Sequence, residues 1–198
     1  MQTITVLYEN TSVVPVLNLC EKAVYRKSGR SIFERYNDCY DNMNYVLTND
    51  DDILIPESSV HSMISSAKIN PNSIVGSFGR RGDPNSKTPY SNPFGGFGEN
   101  MVLSGAALYP CRFLNGYRSF IRQWNETSLE HCDDIIFNRW IKFKYGASHV
   151  VTPRWSLNPI EYLGDSSGGL HGSNNDWDAV RNDCVRWAWK NVNASSIE

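Results

Sequence analysis

The sequence lacks the features that mark dinucleotide-binding, nucleic-acid-binding and membrane-spanning proteins. It contains neither a GxGxxG nor a GxxxxGK(S/T) segment, which argues against a dinucleotide site or a P-loop. Its 19 basic and 21 acidic residues leave a net charge of -2, so charge gives no reason to expect nucleic acid or an anionic membrane as a partner. No apolar run is long enough to cross a bilayer, so we expect no membrane span.

Zinc-ligand spacing is also absent. The five cysteines form no CxxC pair, and an odd, scattered set is typical of free thiols in a reducing compartment. Residues 1–8 contain neither the basic segment nor the long apolar segment of a signal peptide. We therefore expect unpaired cysteines and a cytoplasmic location.

What the sequence does contain fits one domain of ordinary size. A length of 198 residues predicts a single domain, 1–198, with a substantial core, and one domain of a longer polypeptide is the alternative. Aromatic residues make up 12% of the chain, with six Trp and ten Tyr. Such an excess suits a protein that stacks sugars on its rings, and it equally suits an ordinary core.

Hydrophobic periodicity predicts strands that alternate with helices. The predicted strands are 3–8, 45–49, 73–78, 101–108 and 149–151, and the predicted helices are 13–25, 32–39, 58–67, 111–124, 135–144 and 177–192. Residues 79–98 are rich in Gly and Pro and are predicted to form a long loop. This alternation favours an α/β fold in which helices flank a largely parallel sheet.

Three consecutive carboxylates, Asp50, Asp51 and Asp52, end the apolar run 45–49. In an open α/β sheet, ligands bind outside the carboxyl ends of the strands. Mg²⁺ and Mn²⁺ prefer carboxylate oxygens and leave positions free for substrate phosphates. The triplet therefore indicates a metal and nucleotide-diphosphate site, and an acidic surface turn is the alternative.

Several segments resemble, in order and spacing, the exostosin-like glycosyltransferases, which have the Rossmann-like GT-A fold. The segments are 31–36, 50–52, 73–76 with Arg80 following, 100–109 and 132–138. The resemblance covers about residues 30–187. A less specific resemblance is to the capsid glycosyltransferases of large algal viruses.

The resemblance implies a metal-dependent enzyme that moves a hexose from a UDP-sugar to a glycan or glycoprotein acceptor, with retention at the anomeric carbon. It places Mn²⁺, or Mg²⁺, on Asp52 together with Asp50. It places Asp50 and Asp51 against the ribose or the donor sugar. It also places Asp134 beside the reacting carbon.

The chemistry of sugar transfer asks for further groups. A bound divalent ion neutralises the leaving diphosphate as a Lewis acid, and Arg30, Arg35 and Arg80 could bind its oxygens in a bidentate way. The positively charged reacting centre needs a carboxylate, for which Asp133 and Asp134 are the candidates. The alternatives are solvated surface charges for the arginines and helix capping for one of the acids.

Small residues and a loop histidine complete the candidate site. Gly105 and Ala106 would let the donor sugar approach the strand closely, and His171 in a Gly-rich loop could contact the metal or the diphosphate. Packing against a helix and simple solvent exposure are the respective alternatives. Two other classes of protein also stay open, namely a metal-dependent phosphohydrolase or nucleotidyltransferase, and a non-catalytic carbohydrate-binding domain.

Overall fold

Strands and helices alternate along most of the chain in the computed structural model, which describes residues 4–8, 23–27, 32–36, 39, 44–50, 53–92, 99–124, 129, 131–152, 161–162 and 176–193. The strands are β1 Ile4–Tyr8, β2 Ala23–Lys27, β3 Tyr45–Asn49, β4 Ile53–Leu54, β5 Ser73–Gly76, β6 Gly79–Gly82, β7 Tyr90–Ser91, β8 Met101–Val102, β9 Ala106–Pro110, β10 Ser148–Val151 and β11 Glu161–Tyr162. The α-helices are α1 Glu57–Ile69, α2 Tyr117–Ile121, α3 Asp133–Tyr145 and α4 Trp177–Asn191. Short 3₁₀ helices span Ile32–Tyr36 and Cys111–Leu114.

The central sheet is mixed. Its strand order is β10–β5–β9–β3, with β10 parallel to β5 and with β9 antiparallel to both β5 and β3. Of these four strands, β3, β5 and β10 therefore run in one direction, as predicted for a largely parallel sheet, and β9 runs in the other. A parallel neighbour needs a crossover connection, usually a helix. Between β5 and β9, however, the chain makes the small sheet β7–β6–β8, and it re-enters the central sheet in the opposite direction.

Helices cover both faces of this sheet, which confirms the α/β class. Side chains of successive strand residues point to opposite faces. Accordingly Val75 and Leu108 belong to the core cluster that contains Met63 of α1. Their neighbours Ile74 and Tyr109 belong to the larger cluster, which includes residues of α2, α3 and α4.

Several predicted elements are interrupted where tertiary contacts decide the backbone. The predicted strand 101–108 is two strands, β8 and β9, separated by a turn at Ser104 and Gly105. The predicted loop 79–98 contains β6 and β7, and its residues 93–98 lie outside the described ones. The side chain of Asn100 holds β6 in place, because it accepts a hydrogen bond from the Gly82 N–H and donates one to the Gly82 carbonyl, both at 2.8 Å.

Two predicted helices also differ from the structure. The predicted helix 111–124 is a 3₁₀ helix followed by α2, because Gly116 adopts a left-handed φ of 84° and ends the first segment. Residues 23–25 of the predicted helix 13–25 lie in β2, which pairs in parallel with β1. The preceding residues 13–22 lie outside the described ones. The predictions for α1, α3, α4, β1, β3 and β10 are confirmed to within three residues at each end.

Four cysteines form disulfides, so the prediction of free thiols is wrong for them. Cys39 is bonded to Cys111, and Cys132 is bonded to Cys184; the fifth cysteine, Cys20, lies outside the described residues. Disulfides persist in oxidising environments. The cytoplasmic prediction therefore loses the support that unpaired cysteines gave it.

Within the described part of the chain, none of the helices is both long enough and apolar enough to traverse a bilayer.

Candidate active site

The carboxyl end of β3 lies beside the amino end of β9. The two strands are antiparallel with Asn49 opposite Ala106, so the next residue, Asp50, comes to lie beside Gly105. The Asp50 N–H donates to the Gly105 carbonyl at 2.9 Å, and the Asp50 carbonyl accepts from the Ile53 N–H at 3.2 Å. Asp50 is thus fixed at the edge of the sheet, immediately after a strand, as predicted.

Gly105 leaves room for the Asp50 carboxylate. A Cβ atom at this position would lie 2.8 Å from Asp50 Oδ2, closer than Cβ atoms approach other atoms, and 3.0 Å from Ile53 Cδ1. Any larger residue would displace the carboxylate. Ala106, by contrast, is fully buried in the core cluster that contains Met63, so its side chain packs on the α1 side of the sheet.

Arg35 connects Asp50 to a second carboxylate. Its Nη1 donates to Asp50 Oδ1 at 3.0 Å and to Ser104 Oγ at 2.8 Å, and its Nε lies 3.8 Å from Asp133 Oδ2. Burial alone would lower the pKa of this guanidinium, but the charges of Asp133 and Asp50 outweigh burial and hold the pKa above its usual value. Arg35 is therefore a permanent cation between two acids.

Asp133 is buried at the first turn of α3, with 5% of its surface exposed. The Tyr36 hydroxyl donates to its Oδ2 at 3.2 Å. Burial, and after it the neighbouring charge of Asp134, raises the pKa of Asp133 to about 7, although Arg35 and Arg181 act in the opposite direction. This carboxyl group can therefore exchange a proton near neutral pH.

Asp134 is held by Arg181 of α4. The Nη2 of Arg181 donates to both carboxylate oxygens, at 2.7 and 2.9 Å, and its Nη1 donates to the His131 carbonyl at 2.7 Å. Asn138, one turn further along α3, donates to the Asp134 carbonyl at 2.7 Å. These bonds therefore fix the orientation of the Asp134 carboxylate.

Arg181 is the residue that the sequence interpretation missed. It is only 3% exposed, and its guanidinium carbon lies 4.7 Å from the ring centre of Tyr90. A pattern in the sequence could have revealed it, because Arg181 shares helical spacing with the buried Cys184, Val185 and Ala188. A charged residue within the apolar stripe of a helix needs a buried partner of opposite charge.

The other predicted site residues divide into two groups. Arg80 donates to the Gly79 carbonyl and to Asn92 Oδ1. Neither bond reaches the carboxylate cluster, which consists of Asp50, Asp133 and Asp134 with the arginines Arg35 and Arg181. Asp51, Asp52, Arg30 and His171 lie outside the described residues.

Over the ranges that the structure describes, no three His, Cys, Asp or Glu side chains are arranged to hold a metal ion. The predicted metal site therefore depends on Asp52, which is not among those residues. Asp50, which is, offers carboxylate oxygens, the donor type that Mg²⁺ and Mn²⁺ prefer.

The described cluster thus places two carboxyl groups in different surroundings. Arg181 donates hydrogen bonds to both carboxylate oxygens of Asp134, whereas burial raises the pKa of Asp133 to about 7. Adjacent carboxyl groups in different surroundings are an arrangement that supports acid–base and electrostatic roles in catalysis. Arg35 places this pair next to the carboxyl end of β3.

Comparison with known protein families identifies the family to which the chain is similar. A family model described as "Glycosyl transferase family 64 domain" matches residues 8–186, a span that includes every residue of the cluster. No curated protein matches the chain.

Proposed function

The chain belongs to glycosyl transferase family 64, and on this basis we propose that it moves a hexose from a UDP-sugar to a glycan or glycoprotein acceptor, with Mn²⁺ or Mg²⁺ as cofactor and with retention of configuration. Membership of the family makes the protein a glycosyltransferase. The donor, the metal and the stereochemistry are parts of the proposal.

The observation that carries the proposal is the bridge that Arg35 makes between Asp50 and Asp133. Asp50 belongs to the acidic triplet that would face the donor diphosphate, and Asp133 lies beside Asp134, which would face the sugar. One guanidinium therefore holds the two halves of a transfer site at a fixed separation. Positioning of this kind is a large part of what an enzyme contributes to a reaction between two molecules.

In the proposed reaction, the bond between the anomeric carbon and the diphosphate oxygen breaks, and its electron pair leaves with the diphosphate. Asp134, held in place by Arg181, stabilises the positive charge that develops on the sugar. The acceptor hydroxyl forms the new bond and loses its proton. Asp133, with a pKa of about 7, is the base that takes this proton.

Asp52 and Asp50 would hold the divalent ion. When bound, the ion supplies Lewis-acid neutralisation of the leaving diphosphate. Asp50 fits a divalent ion by its donor chemistry, because it presents carboxylate oxygens on a side chain that is 39% exposed.

The family match favours transfer over the two other classes. A phosphohydrolase or nucleotidyltransferase and a non-catalytic carbohydrate-binding domain would both be unexpected in a glycosyl transferase family. The exostosin-like subgroup, a viral source, a cytoplasmic location and the single-domain organisation stay predictions.

The first test is release of UDP from a panel of UDP-sugars, with and without Mn²⁺. We expect slow, metal-dependent hydrolysis of one donor, and we expect Asp52→Ala to abolish it. Asp183→Ala is the matched control, because Asp183 is an exposed carboxylate paired with Arg186 on α4, and it should leave release unchanged. Absence of both donor hydrolysis and metal-dependent UDP binding in the folded protein would overturn the proposal.

A second variant, Gly105→Ala, tests the part of the site around Asp50, which the structure describes. The added methyl group must displace Asp50 Oδ2, so we expect donor hydrolysis to fall at least about tenfold. Gly146→Ala is the control, because φ at Gly146 is 60° and no atom lies within 4 Å of an added Cβ. It should lower stability by about 1–2 kcal/mol, the cost of a side chain in the left-handed region, and leave hydrolysis unchanged.

A further inference from the structure

A small cavity lies where α3, α4, β8 and β10 meet. Its volume is about 140 Å³, and its lining includes Met101, Asn138, Arg139, Lys142, His149 and Trp189. Pockets for whole ligands usually enclose about 300–1,000 Å³. The cavity is therefore too small for a nucleotide-sugar and is large enough for one polar group.

The cavity is positively charged. Arg139 and Lys142 both line it, and none of the ion pairs between described residues involves either of them. Arg35 and Arg181 differ in this respect, because each is paired with a carboxylate. A ligand that entered this cavity would therefore meet two cations that described acids do not neutralise.

Two buried nitrogen atoms of residues that line the cavity lack a hydrogen-bond partner. Arg139 Nε and His149 Nε2 are buried, and neither forms a hydrogen bond with a described residue. Burial, and after it the charge of Lys142, lowers the pKa of His149 to about 4, so the ring is neutral near pH 7 and carries one N–H. Buried polar groups are nearly always hydrogen-bonded in folded proteins. The Nε–H of Arg139 can only donate, so it indicates a missing acceptor, and the neutral His149 ring offers its one N–H to the same acceptor.

Aromatic rings fix the guanidinium that would bind this acceptor. The guanidinium carbon of Arg139 lies 4.3 Å from the ring centre of Trp189 and 4.2 Å from that of Phe143. Stacking on ring faces leaves the N–H edge of a guanidinium available for hydrogen bonds in its own plane. Asn138 is also fixed, because its side chain bonds to both backbone groups of Val102.

We propose that this cavity binds a single oxyanion group, such as a sulfate, through Arg139, Lys142 and the ring N–H of His149. The group is either a free inorganic anion or a substituent of a sugar. Asn138 and Lys142 follow Asp134 by four and eight residues on α3, which places the cavity about 6 to 12 Å along the helix from that carboxylate. A charged substituent on a bound sugar would be within reach of the cavity from there.

The test follows the ring nitrogens of the histidines by NMR while sodium sulfate is added at constant ionic strength. The chain has four histidines, and His149→Gln identifies the resonance of interest. We expect a saturable shift of the His149 ring. The readout is binding rather than transfer, so its failure is distinguishable from failure of the proposed enzymatic function.

Two lysine variants of α3 provide the matched comparison. Lys142→Gln should weaken sulfate binding roughly tenfold, the effect of losing a hydrogen bond to a charged group. Lys144→Gln removes the same charge from the same helix, but Lys144 lies over the Trp140 ring, outside the cavity, so it should have little effect. A shift that does not saturate, or equal weakening by the two variants, would overturn the proposal.

The source of the anion is decided by comparing three ligands in the same titration. Tighter binding of glucose 6-sulfate than of inorganic sulfate would support an anion carried on a sugar. Equal or weaker binding would support a free anion. If neutral glucose shifted the His149 ring as strongly as the sulfated sugar, the cavity would recognise hydroxyl groups, and the proposal would be wrong.

Discussion

At the scale of single residues, the unusual group is Asp133. Its carboxyl is buried and lies next to the carboxylate of Asp134. These surroundings disfavour its ionised form. Arg35, which lies 3.8 Å away, compensates only in part. The residue therefore combines its proposed role as a base with a loss of folding free energy as the pH rises.

This cost predicts a pH dependence of stability. The pKa of Asp133 is raised to about 7 in the folded protein, from about 3.9 in the unfolded chain. Between these values the folded state keeps a proton that the unfolded state has lost, so the stability contribution is complete below about pH 4 and is lost as the pH rises towards 7, at roughly 1.4 kcal/mol per unit.

Urea unfolding at several pH values between 4 and 7 checks this prediction. Asp133→Asn should flatten the decline of unfolding free energy relative to the unmodified protein. Asp183→Asn, which removes an exposed carboxylate, should leave the decline unchanged. Parallel curves for the unmodified protein and Asp133→Asn would contradict the assignment of the raised pKa.

At the scale of elements, an ion pair and a disulfide both hold α3 and α4 together. The Asp134–Arg181 ion pair joins the first turn of α3 to α4, and the Cys132–Cys184 disulfide joins the same two segments. Cys132 directly precedes α3, and Cys184 follows Arg181 by three residues. The disulfide therefore limits how far the guanidinium can move from its carboxylate.

Arg181→Gln tests the ion pair. It leaves the buried Asp134 carboxylate without its cation, which should lower the unfolding free energy by about 3–5 kcal/mol. Arg186→Gln is the matched control on the same helix, because Arg186 pairs with Asp183 in solvent, and exposed pairs contribute at most about 1 kcal/mol. Urea unfolding of both variants at pH 7 measures the difference. Equal losses of unfolding free energy would show that the buried ion pair contributes no more to stability than the exposed one.

At the scale of the whole molecule, two disulfides connect regions that are distant in the sequence. Cys39 and Cys111 are separated by 72 residues, and Cys132 and Cys184 by 52. Cross-links over such distances restrict the unfolded chain considerably. The domain therefore gains stability from its oxidised state in addition to that from its core.

We predict that the double variant Cys132→Ser/Cys184→Ser loses about 4 kcal/mol of unfolding free energy, according to the chain-entropy account of a loop of this length. Urea unfolding under non-reducing conditions measures the loss. Intact mass spectrometry provides the independent check, because reduction should add the hydrogen atoms that two opened disulfides take up. An unchanged mass would show that the cysteines are free, and the cytoplasmic prediction would regain its basis.

The sequence by itself determined the local structure and the position of the acids. Apolar patterns located β3, α1, α3 and α4, since periodicity depends on neighbouring residues alone. The same patterns placed Asp50 at the end of a strand and Asp133 and Asp134 at the start of a helix, and the structure confirms both placements. The family resemblance then indicated a glycosyltransferase, which the family match bears out.

Only the tertiary structure decided the direction of β9, the disulfides and the partners of the charges. Arg35 contacts a carboxylate 15 residues away, and Arg181 contacts one 47 residues away. No local pattern specifies such pairs, because the free energy of a buried charge depends on which distant group neutralises it. The reversed direction of β9 likewise follows from the path of the chain between β5 and β9, where the Asn100 side chain bonds to the backbone of Gly82 in β6.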